Sequence, residues 1–156
     1  MIQIQNNFLS NVELQKIIKI LKAPDFLWSI FKEKPITLLH QLVGEQGKHR
    51  SYFVDYILGD LAQRLKAEII LESNLIIFAG SKEHEEYQQE SNFLKNKNYK
   101  SCILHLNSNN GYTKILGLEK IDCVENRAIL SDMTTRFTEV NCNEGSNKIV
   151  LSVHYM

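Results

Sequence analysis

No apolar run in this sequence approaches the ~20 residues that a bilayer-spanning helix needs, and its first residues lack a basic-then-apolar signal pattern. These absences argue against a membrane partner and lead us to expect a soluble, cytoplasmic protein. Net charge is also missing: 18 basic side chains balance 18 acidic ones, and no basic patch is interleaved with aromatics. Nothing therefore recruits nucleic acid. Only three cysteines occur (Cys102, Cys123 and Cys142), at wide spacings, so neither a disulfide framework nor a zinc site is expected. Glycine-rich phosphate loops, internal repeats and low-complexity tracts are absent. Ser131-Asp132 has no base following it, which excludes a serine nucleophile of the usual kind.

What is present reads as one domain over 1–156, with 1–66 as mainly helical support and 67–156 as a β-rich core. Ser10 to Glu13 form a capping box, and Val12, Leu14, Ile17, Ile18 and Leu21 share one face of a helix over Asn11 to Lys22. Phe26 to Phe31 is dense in aromatics and is expected to pack in the core. A strand over Ile36 to Val43 follows. Phe53, Val54, Ile57, Leu58, Leu61 and Leu65 then predict a second helix from His49 to Lys66. Strands are expected at Ala67 to Glu72 and Asn74 to Ala79, and a polar loop or short helix from Ser81 to Asn98. From Tyr99 onward short β-rich segments alternate with turn signals. They are Tyr99 to Leu106, Tyr112 to Leu116, Lys120 to Val124 and Asn126 to Asp132. Asn110-Gly111 reads as a hairpin turn, because both residues tolerate positive φ. Met133 to Asn147 is polar and turn-rich. In the last strand, from Lys148 to Met156, alternation places Lys148, Val150, Ser152 and His154 on one face. Helices first and strands after give an α+β class with a jelly-roll core buttressed by N-terminal helices.

The phrases Lys100 to Asn107, Asn110 to Lys114, Glu125 to Asp132 and Lys148 to Val153, with Ser73-Asn74-Leu75 upstream, carry a resemblance. In order and spacing, Leu65 to Tyr155 resembles the 2-oxoglutarate- and iron(II)-dependent oxygenases. It is most similar to small prolyl 4-hydroxylase-like members of the sort found in phages and marine microbes. The resemblance implies a double-stranded β-helix and an iron site built from His-x-Asp and a distal His. It also implies a basic residue that grips the far carboxylate of 2-oxoglutarate. The first metal pair falls on Gln88 and Glu90, or in another frame on His84 and Glu86. The distal position falls on Phe137, beside Arg136. Phenylalanine cannot coordinate a metal, and an amide oxygen is a weak ligand. The 2-oxoglutarate anchor falls on Lys148, and Arg136 and Leu104 are further pocket candidates.

These substitutions lead us to expect a barrel that no longer binds iron. It would serve as a binding or structural module with a protein partner or in self-assembly, virion-associated if the chain is phage-encoded. If Glu90 and Arg136 or Lys148 point inward, an ion pair is expected in the vacated space. The alternative is an active dioxygenase using Fe(II) and 2-oxoglutarate through an unusual ligand set, with His84, Glu86 or Glu90 helped by His105 or Cys142.

Overall fold

A computed structural model describes residues 2–33, 36–44, 47–88, 98–117, 120–132, 135–143 and 145–156. Strand β1 (Gln3–Gln5) leads into α1 (Asn11–Leu21), then β2 (Ser29–Glu33), β3 (Ile36–Gly44), β4 (Lys48–His49), α2 (Val54–Leu65) and β5 (Ile70–Phe78). Seven strands follow: β6 (Glu86–Gln88), β7 (Lys100–His105), β8 (Tyr112–Ile115), β9 (Ile121–Asp122), β10 (Ala128–Asp132), β11 (Phe137–Val140) and β12 (Lys148–Tyr155).

The strands form two antiparallel sheets. Among the described residues the larger has eight strands in the order β1-β10-β7-β12-β5-β3-β2, with β4 beside β3; the smaller has four, β6-β11-β8-β9. Each side of the larger sheet has its own core. On one, Leu42, Leu75, Leu104, Leu151 and Val153 pack with Leu14 and Ile17 of α1 and Leu58 and Leu61 of α2. On the other, Ile76, Phe78, Ile103, Ile129 and Val150 meet Tyr87, Ile115 and Phe137 of the smaller sheet. This is an α+β jelly roll buttressed by helices, the expected class.

The capping box forms as read. The Ser10 hydroxyl accepts from the Glu13 amide (3.3 Å), and the Glu13 carboxylate accepts from the Ser10 amide (2.6 Å). Glu13 also pairs with Arg64 at 2.5 Å, tying α1 to α2, and this guanidinium holds the Glu13 carboxyl down at about 2.

Several local expectations are corrected. The N-terminal support over 1–66 contributes β1 to β4 as well as its two helices, so it is not mainly helical. The second helix begins at Val54, not His49, because Lys48 and His49 pair with Gly44 and Val43 and the Ser51 hydroxyl holds the Phe53 amide. The two strands expected at 67–79 are one, since Ser73 stays in register and gives its hydroxyl to the Ser152 carbonyl. Phe26 is buried, but Leu27, Ile30 and Phe31 are 74%, 73% and 55% exposed, because β2 lies at the sheet edge.

Asn110-Gly111 is no hairpin. Strands β7 and β8 belong to different sheets, and neither residue has positive φ. The chain instead crosses from one sheet to the other there. Gly111 is required for close approach: a Cβ would lie 2.7 Å from the Val140 carbonyl oxygen. Gly111→Ala should therefore cost about 1–3 kcal/mol of stability in urea denaturation; an unchanged midpoint would show that this crossing can shift.

Candidate functional site

Directly paired residues of antiparallel strands point to the same face, so the registers sort the barrel interior into layers. At one end of the larger sheet lie Thr37, Phe78 and Lys148. The next layer holds Leu39, Ile76, Val150 and His105. Beyond it come Gln41, Asn74, Ser152, Ile103 and Ile129, and then Glu72, His154, Ser101 and Ser131. From the smaller sheet Tyr87, Glu139, Thr113 and Ile121 form one row, with Phe137 and Ile115 as a second.

The two sheets meet at the Lys148 end in a buried polar chain. Lys148 is 0% and Glu139 2% exposed, and their charged atoms are 2.5 Å apart. The Lys148 ammonium also donates to the carbonyls of Tyr112 (2.6 Å) and Val140 (3.3 Å). An ammonium has three protons, and all three have acceptors here. The Thr113 hydroxyl donates to the same Glu139 oxygen at 2.8 Å. With its proton so used, Thr113 can only accept from His105, whose Nε2 lies 3.1 Å away. That assigns the proton to Nε2 and leaves Nδ1 as an acceptor. His105 Nδ1 and Glu139 Oε1 are buried without partners. Burial pushes the His105 imidazole down to about 4, with Lys148 and Arg127 helping and Glu139 opposing.

At the far end Glu72 faces His154 at 3.7 Å, and that neighbour lowers the Glu72 carboxyl below its usual range.

The candidate positions are distributed unevenly around this interior. Lys148 is inside: alternation grouped it with Val150, Ser152 and His154, and the fold turns that face toward the smaller sheet. Phe137 is also inside, 7% exposed, in the buried apolar cluster that includes Ile115, Tyr87 and Phe78. Its strand pairs with β6, where Thr138 lies opposite Gln88; the Gln88 side chain and Glu90 lie outside the described residues. His84 is exposed and donates through Nδ1 to the Asn141 carbonyl at 2.8 Å. Glu86 is paired with Lys114 on the outer surface. Arg136 is exposed just before β11, and Leu104 is fully buried among the residues that pack against the helices. Cys142 donates its thiol to the Ser146 carbonyl.

An inward ion pair involving Lys148 was expected with Glu90; in the described interior its partner is Glu139. Glu139 was missed because β11 lies in a stretch read as polar turn, and Thr113, in a segment that was read as a strand, because nothing local marks its hydroxyl as facing a buried carboxylate. A signal did exist. Phe137 and Glu139 are two apart, and a lysine on the inward face of the last strand calls for a carboxylate opposite.

The described residues do not fit iron and 2-oxoglutarate. Phe137 is hydrocarbon, the protons of Lys148 are committed within the chain, and His84 and Glu86 are engaged elsewhere. Among the described residues no three His, Cys, Asp or Glu side chains converge as a metal site would require.

No protein-family model matches the sequence, and no curated protein does. Solved structures do match in shape. A Pseudomonas putida prolyl-4-hydroxylase superposes with a TM-score of 0.64 at 13% identity, over 99% of this chain and 91% of that one. A 2OG-Fe(II) oxygenase from Burkholderia pseudomallei gives 0.68 at 12%, over 99% and 84%. A Trichoplax adhaerens prolyl hydroxylase, solved with a hypoxia inducible factor peptide, gives 0.65 at 13%, over 99% and 83%. The chain thus shares the jelly-roll fold of these prolyl hydroxylase and 2OG-Fe(II) oxygenase structures.

Proposed function

We propose that this protein is a catalytically silent form of the oxygenase fold, kept as a binding or structural module. The observation that carries this reading is Phe137. It occupies the position that the resemblance gives to the distal iron ligand, and it belongs to the buried apolar cluster that also holds Ile115, Tyr87 and Phe78. A side chain without a lone pair cannot hold iron(II), and an aromatic ring packed at that position fills the space with carbon.

A protein partner or a second copy is the natural ligand of such a module. The outer strand β2 ends the larger sheet and exposes Ile30 and Phe31, with Leu27 beside them. Exposed apolar side chains on an edge strand favour association.

The competing reading is an iron(II)- and 2-oxoglutarate-dependent hydroxylase with an unusual ligand set. Anaerobic calorimetric titration of the metal-free protein with iron(II) and 2-oxoglutarate decides between them. We expect no saturable heat and no charge-transfer absorption. Tight binding of both, abolished by His84→Ala or Glu90→Ala, would overturn the silent reading.

A further inference from the structure

We infer that Glu139 is a built-in carboxylate ligand: it fills an anion seat formed by Lys148 and Thr113, and cutting it back makes that seat a binding site for a small free carboxylate. The inference rests on the silent reading only for what Lys148 would otherwise hold. The seat itself is visible in the geometry.

The donors converge on a single oxygen. Lys148 reaches Glu139 Oε2 at 2.5 Å and the Thr113 hydroxyl reaches it at 2.8 Å. Both donors are anchored independently of Glu139. Lys148 is held by the carbonyls of Tyr112 and Val140, and Thr113 is held by its strand pairing and by His105. The cation and hydroxyl are thus preorganised by backbone, and the carboxylate is the replaceable part.

The other oxygen, Oε1, is buried and unpartnered. A carboxylate whose second oxygen finds no donor is placed by its tether, not by a seat shaped to both oxygens. A free carboxylate is not bound by that tether and can rotate toward any donor that the cavity admits. Lys148 and Glu139 are both almost wholly inaccessible, so in the native chain an external anion has no route to this cation. The ligand class follows from the shape of the excision. Glu139→Ala removes the atoms beyond Cβ, which are those of an acetate ion. Acetate restores both charge and volume, whereas acetamide restores volume alone.

The test uses the full chain, with melting followed by near-ultraviolet circular dichroism. In Glu139→Ala, acetate at roughly ten times its dissociation constant should raise the midpoint by about 3–6 °C. Acetamide, and sodium chloride at matched ionic strength, should not. Wild type and Glu139→Gln should respond to acetate no more than to chloride, because their seats are filled. Lys148→Met combined with Glu139→Ala should lose the response. If Glu139→Ala does not melt cooperatively, its refolding yield against acetate and chloride gives the same reading. An acetate effect equal to that of chloride, or one that survives removal of Lys148, would overturn the inference. The wild-type titration with 2-oxoglutarate separates the two claims: binding there sinks the silent reading. A blank there with an acetate-blind variant sinks the seat alone.

Discussion

Replacing Lys148 with methionine should lower the unfolding free energy by about 3–5 kcal/mol at neutral pH, the cost of leaving a buried partner charge uncompensated. Glu139 would keep only the Thr113 hydroxyl, because its other oxygen has no donor. Removing both charges should behave differently. Lys148→Met with Glu139→Leu fills the space with carbon and should recover most of the stability, since well-packed apolar residues often match or exceed a buried ion pair. Urea denaturation of the wild type, both single variants and the double variant forms a thermodynamic cycle. A coupling energy near zero would mean that the 2.5 Å contact contributes nothing and that each group is stabilised by its other neighbours.

The second large effect is acid sensitivity set by His105. Its imidazole is fully buried, and the folded chain holds its pKa down to about 4, against 6.5 for an ordinary histidine. The folded form therefore resists the proton that the unfolded form accepts. This contribution is fully present above pH 6.5 and is lost as pH falls toward 4. The loss should be about 2 kcal/mol by pH 5 and about 3 kcal/mol by pH 4. The facing groups shape this window: Lys148 and Arg127 push the pKa down, and Glu139 pushes it up. The depressed carboxyl of Glu72 acts lower, from the ordinary glutamate value of 4.5 downward, so it adds only at the acid end of the His105 window. His105→Gln keeps an N–H able to reach Thr113 but cannot titrate. Its stability should be flatter between pH 7 and pH 5 than that of wild type. Equal slopes would place the acid sensitivity elsewhere.

Most of the architecture was legible because its signals are local. The capping box at Ser10 and Glu13, the apolar faces of α1 and α2, and the alternation of β12 each lie within a few residues of chain. The order of β-rich phrases sufficed to suggest the oxygenase barrel. Where the reading failed, a non-local contact overrode the local pattern. Asn110-Gly111 is good hairpin chemistry, yet β7 finds β10 and β12 as partners and β8 finds β9 and β11. Strand β11, with Glu139 at an inward position, looks polar to any window that does not contain Lys148.

The sequence by itself determined the class and the alternation that groups Lys148 with Val150, Ser152 and His154 on one face of the last strand. These follow from the order of the segments and from strand periodicity. Only the tertiary structure decided the partner of that lysine. Glu139, Thr113 and His105 come from three different strands, two in the smaller sheet and one in the larger. A buried charge selects its partner through space, and closure of one sheet over the other brought this carboxylate within 2.5 Å of it.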